Sequence, residues 1–132
     1  MFNQVNGWSS RALAALRIVA GLLFLAHGVI KVFGFPAGAE PGQQELLSLF
    51  GIGGVIELIT GLLLILGLFT RPAAFIASGQ MAVAYWMFHF PSSPYPAVNG
   101  GDAAILYCFI FLYIFTAGPG AWSIDNRTAK RC

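Results

Sequence analysis

Charge is what this chain has least of. Asp, Glu, Lys and Arg make up 9% of its 132 residues and hydrophobic types 58%; mean hydropathy is +0.76. A soluble domain carries about 25% charged residues. The scarcity excludes a water-facing globule and makes lipid the solvent. A net charge of only +2 gives no footing for a nucleic-acid partner. Cysteine is nearly as scarce. Cys108 and Cys132 form no Cys-x-x-Cys, and no flavin-binding signature is present, so the chain brings no electron carrier of its own. The two thiols fall at different depths, which excludes a disulfide between them; Cys108 reads as a small packing residue. Two histidines on different helices, His27 and His89, permit a bis-His haem, but four-ligand spacing is absent. Neither a haem nor a metal site is expected.

What is there is apolar length. Crossing a hydrocarbon core takes about 20 apolar residues, and four stretches approach this: Ala12 to Phe33, Leu46 to Leu68, Pro72 to Phe90, and 102 to 117. The last is short, with Trp122 just beyond it at an interfacial position. The fold class expected is all-α: one integral membrane domain over 1–132, a four-helix transmembrane bundle. The first span lacks a small-residue cleavage site and is too long for a signal peptide. Arg11, Arg17, Arg71, Arg127, Lys130 and Arg131 fall on the side of the termini; Lys31 lies opposite, with Glu40, Glu45 and Asp102. The positive-inside rule then puts both termini in the cytoplasm of a bacterial inner membrane, with Arg17 and Arg71 as topology determinants.

Local signals divide the spans. Ser9 or Ser10 is a candidate cap for the first helix. Gly34 to Gly42, with three glycines and two prolines, is a loop, and Gly51, Gly53 and Gly54 predict a weak point or kink in the second helix. The tight Gly67–Pro72 turn makes helices two and three an antiparallel hairpin, and Gly118-Pro119-Gly120 ends the fourth.

Turning 100° per residue puts Arg17, Gly21, His27, Gly28 and Lys31 on one stripe of the first span. Gly53, Glu57, Thr60 and Gly61 share a face of the second. Ser78, Ala82, Tyr85 and His89 share one on the third, and Asp102, Leu106, Phe109, Tyr113 and Thr116 on the fourth. Ionisable groups at membrane depth are costly and mark function. A lone carboxylate at Glu57 would be protonated or paired, and the His27–Lys31 neighbours are its expected partners. The reading is an outer cavity gathering His27, Lys31, Glu57, His89 and Asp102, with Asn99 at its rim. Asp102 and Asn99 serve equally well as caps of the fourth helix, and Lys31 could simply snorkel.

The strings His27-Gly28-Val29-Ile30-Lys31-Val32-Phe33-Gly34, Glu57 with Gly61 to Arg71, His89 with Asn99-Gly100-Gly101-Asp102, and Ala117 to Asp125 resemble the bacterial DoxX family. The resemblance runs from Arg17 to Asp125; Asp102 stands where a glutamate is common in the family. It implies a DoxX/DoxD-like inner-membrane protein. Relatives are linked to quinone-coupled oxidation of sulfur compounds or named as quinol oxidase subunits.

Two functions remain open on these residues. In one, the cavity holds a quinone head group: His27, Glu57 or His89 exchanges protons with it, Lys31 steadies an oxygen, and Tyr85, Trp86 and Phe109 stack on the ring. Without an electron carrier the chain is at most a subunit of a quinone-linked oxidoreductase. In the other it is a non-enzymatic binding, transport or assembly subunit, offering Gly21, Ala73, Ala77 and Gly79 to partner helices or to a second copy.

Overall fold

The computed structural model describes residues 5–131. Cys132 lies outside them. The described residues are all-helical. Helix α1 spans Ser9–Phe33, α2 Leu49–Leu66 and α3 Thr70–Ala84, which runs on into one π turn, Tyr85–His89. A short α4 (Pro96–Asn99), α5 (Asp102–Ala117) and α6 (Ile124–Ala129) follow. Helices α1 and α2 are each long and apolar enough to cross a bilayer; α5 is apolar but shorter.

The ends follow from particular residues. Ser9 and Ser10 lie inside α1, whose N-cap is Trp8 without a side-chain bond, so neither serine caps it. Ser48 caps α2, its Oγ accepting from the Gly51 N–H at 3.0 Å, so α2 starts at Leu49 rather than Leu46. Gly67 closes α2 in the left-handed region (φ 65°), and α3 begins three residues later. The loop before α5 is not wholly irregular, since Pro96–Asn99 forms a helical turn.

Gly51–Gly54 does not interrupt the helix; α2 is continuous from Leu49 to Leu66. These glycines serve contact instead. Gly21 of α1 lies against Gly61 of α2, and two turns away Gly28 lies against Gly54. A Cβ on Gly28 would stand 2.7 Å from the Leu58 nitrogen, and one on Gly61 2.8 Å from the Leu25 nitrogen. The absence of side chains lets two backbones meet, and α1 packs on α2 along its length, as α3 does on α5. The backbones of the pairs approach mainly through α2 and α3, whereas α1 and α5 stand farther apart and meet through side chains, the Phe24 ring lying 5.0 Å from Phe111. Phe24, Leu64, Phe111 and Ile114, packed with Ala73, Ala74 and Ala77, form the core. Gly21, Ala73 and Ala77 are therefore buried within the chain and present no surface to a partner; of that set only Gly79 is exposed.

On α5 the expected stripe faces outward. Leu106, Phe109 and Tyr113 are all more than half exposed, and the buried face is Ala104, Phe111 and Ile114. Asp102 and Thr116 misled the phasing because both sit at helix ends, where a polar side chain need not face the interior.

Candidate functional site

At the end of the bundle away from the termini, Lys31 on α1 meets Glu57 on α2, with Nζ and Oε1 2.6 Å apart. Glu57 is 1% exposed and the Lys31 side chain 15%. Of the two partners expected for Glu57, Lys31 is in contact with it, whereas the His27 ring bonds to the Leu23 carbonyl. Two turns along from the Gly21–Gly61 contact, the Gly28–Gly54 contact brings the backbones close enough for a lysine stem to lie across Gly54. From α3, the Gln80 amide donates to Glu57 Oε1 at 3.2 Å and to the Gly53 carbonyl at 3.1 Å. Glu57 Oε2 and Gln80 Oε1 are buried with no partner. An orphaned buried acceptor costs about 1–3 kcal/mol, so this pair is where a ligand group has most to offer.

A cavity of about 390 Å³ adjoins the pair. His27, Lys31, Glu57 and His89 line it, with Glu40 on the loop side and Phe24, Phe50, Phe88 and Tyr107 as aromatic walls. Ligand pockets run to about 300–1,000 Å³ with mostly apolar walls and few polar groups, so a single ring-sized head group fits. His27 Nδ1 donates to the Leu23 carbonyl at 2.8 Å and His89 Nδ1 to the Asn99 carbonyl at 3.1 Å. Since a carbonyl only accepts, Nδ1 carries the proton in both bonds, which leaves Nε2 of each ring for another partner.

Four of the five expected cavity residues thus come together. Asp102 does not: it is exposed in the first turn of α5 and lines no part of the cavity. Asn99 is not a rim contact but a latch. Its Nδ2 donates to the Tyr85 hydroxyl at 3.3 Å, and its Oδ1 accepts from the Gly101 N–H at 2.7 Å. Gly101 must be glycine because a Cβ there would stand 2.6 Å from the Tyr85 ring. Tyr85 is accordingly a buried core residue, 9% exposed, while Trp86 and Phe109 face outward; none of the three lines the cavity. Tyr107, Phe24, Phe50 and Phe88 hold the places assigned to them. Gln80 escaped notice because it is uncharged, although one amide inside an apolar span was the available signal.

The end near the termini carries a second polar centre. Arg17 is wholly buried and donates to five main-chain carbonyls: Leu64 (2.6 Å), Ile65, Pro119 (2.8 Å), Ala121 and Trp122. It ties α1 to the end of α2 and the strap after α5, a structural role beyond the topology determinant expected of it. Arg71 donates to Phe115 and Thr116 carbonyls at the end of α5, both at 2.7 Å. Asp125 accepts from the Phe69 and Thr70 N–H groups at 2.9 and 3.0 Å, capping α3. Partial burial alone would raise the Asp125 carboxyl, but those N–H donors and the Arg17 charge together hold it below its ordinary value.

These features define a small helical membrane protein built around two buried polar centres, one of them beside a cavity. The DoxX family profile matches residues 12–90, and the chain belongs to the DoxX family. It is 40% identical to an uncharacterized protein of Haemophilus influenzae, over 98% of this chain and 99% of that one. An uncharacterized membrane protein of Mycobacterium tuberculosis is 31% identical over 88% of this chain and 80% of its own. The inner membrane protein YqjF of Escherichia coli is 27% identical, over 87% and 90% respectively. No solved structure matches significantly. The family profile ends at the π turn, so the Arg17 carbonyl partners after α5 lie beyond it.

Proposed function

We propose that this DoxX-family protein crosses the inner membrane four times with both termini cytoplasmic, and that its cavity binds the head group of a quinone or quinol for a redox partner. The observation that carries the reading is the Lys31–Glu57 pair, with its free Oε2, beside a cavity of ring size with aromatic walls. A quinone supplies two-electron, two-proton chemistry. The chain's own residues supply the rest. Lys31 fixes Glu57 through Oε1, leaving Oε2 to take or return a proton. His27 and His89, each oriented by a bond at Nδ1, offer Nε2 for onward transfer. Phe24, Phe88 and Tyr107 keep water from the ring. Electrons come from a membrane subunit that packs on the apolar exterior.

The test is binding of a decyl-substituted benzoquinone and its hydroquinone to the protein in nanodiscs, under anaerobic conditions. Loss of one polar contact weakens affinity about tenfold, so Lys31→Met and Glu57→Gln should each show such a loss. Parent protein that binds neither compound rules the reading out. Recovery of a non-redox apolar compound from native membranes, with no quinone, would favour the binding or transport alternative.

A further inference from the structure

The Lys31–Glu57 pair has a second face. Between α2 and α3 runs a groove of about 330 Å³, lined by Ile52, Ile56, Ile76, Val83 and Met87. At its floor lie Lys31, Glu57 and Gln80. Gly79 opens its wall, since a Cβ there would meet no atom within 4 Å. Ile52, Ile76, Val83 and Met87 are about half exposed, so the groove faces the lipid. It shares Phe50, Met81, Ala84 and Phe88 with the cavity described above. The rings of Phe50 and Phe88 lie 4.6 Å apart across α2 and the π turn, and both line both spaces.

The buried atoms at this floor that have no partner are of one kind. Gln80 Nε2 commits its two N–H groups to Gly53 O and Glu57 Oε1, and Lys31 Nζ commits one of its three to Glu57 Oε1. The atoms without a partner are two acceptors, Glu57 Oε2 and Gln80 Oε1. An acceptor pair is satisfied by hydroxyl or N–H donors and left unpaired by a carbonyl, and buried sites discriminate strongly on that difference.

We propose that the α2–α3 groove is the bilayer-facing subsite of the binding site, taking an amphipathic lipid whose hydroxyl-bearing head reaches Glu57 Oε2 and Gln80 Oε1 while its apolar chain lies along Ile52, Ile56, Ile76 and Val83. The inference rests on the quinone reading and adds three things: the side of entrance, Gln80 as the residue that distinguishes redox states, and preference for the reduced, donor-bearing form. The apolar length and the lipid-facing mouth exclude a water-soluble ligand, and Glu57, which lines both spaces, is where the head meets the cavity.

The experiment compares decyl-hydroquinone, decyl-benzoquinone and chain-free hydroquinone on protein in nanodiscs. The parent should bind decyl-hydroquinone about tenfold more tightly than decyl-benzoquinone, and Gln80→Leu should narrow that ratio. Gly79→Trp, which fills the groove in open space, should weaken the decyl compound about tenfold and leave the chain-free head unchanged. Should Gly79→Trp fail to fold, Val83→Trp probes the same wall. Three results overturn the proposal: equal affinity for the two redox forms, an undiminished decyl affinity in both groove variants, or loss of decyl binding in Val19→Trp instead, which would put the chain in the groove that Leu16, Val19, Leu106 and Ile110 line between α1 and α5. Light scattering adds a fourth, dissociation of a dimer by Gly79→Trp, which would make the groove a subunit contact. No binding of any probe by the parent defeats the quinone reading itself, a result distinct from all of these.

Discussion

At the scale of single residues two cations inside the bundle, Arg17 fully buried and Lys31 partly so, solve one problem differently. Lys31 is neutralised by a carboxylate, Arg17 by five carbonyl dipoles. The guanidinium suits the second task because its five N–H donors form a rigid fork. Arg17→Met should therefore strand several carbonyls and cost at least about 3 kcal/mol, read as a large drop in thermal stability in detergent. Arg17→Lys should recover only part of it, one ammonium being unable to reach all five. Asp125 gives a pH signature. Its folded value is depressed, so its stabilisation is complete above the ordinary carboxylate range and is lost as pH falls through the folded value. Melting followed from neutral to acid should show that loss, and Asp125→Asn should flatten the part of the acid slope due to this group. An unchanged slope in Asp125→Asn would mean the cap at Phe69 and Thr70 contributes nothing.

At the scale of elements, glycine position decides the outcome of substitution. Gly61→Val puts a branched side chain where a single Cβ already falls 2.8 Å from the Leu25 nitrogen, so α1 and α2 must separate. The loss should exceed about 3 kcal/mol and should also weaken ligand binding, because the Lys31–Glu57 distance depends on that contact. Gly79→Ala, in open space on α3, should be neutral or raise stability by up to about 1 kcal/mol through helix propensity. Paired melting curves of the two variants check this, and similar effects would dissolve the distinction. The same contrast explains what the sequence could reveal. The stripes on α1 and α2 were legible because glycine and charge fell on one face, and close packing requires both there. On α5 the only polar residues stood at the ends, where capping or solvent takes them, so they carried no phase information, and the buried face of Ala104, Phe111 and Ile114 is apolar like the rest. Arg17 read as a topology determinant, and its tie was not legible, because its partners are carbonyls more than forty residues away, which no local pattern records.

At the scale of the molecule, the two polar centres lie at opposite ends, and orientation decides which compartment each one meets. Arg11, Arg71, Arg127, Lys130 and Arg131 gather at the end of the termini; Glu40, Glu45 and Asp102 gather at the other. On the orientation proposed above, with positive residues retained in the cytoplasm, the cavity would lie in the outer half of the membrane and Glu40 on its loop side would face the periplasm. Protons released at Glu57 or His89 would then leave outward, while the Arg17 tie stays on the cytoplasmic side. Ser92, exposed in the loop after the π turn, reports this directly. Ser92→Cys, in a background with Cys108 and Cys132 replaced, should react in intact spheroplasts with a membrane-impermeant maleimide. A single cysteine at position 132 should react only after lysis. The reverse pattern would turn the molecule over and send the same protons to the cytoplasm, so a redox partner would have to be sought on the other face.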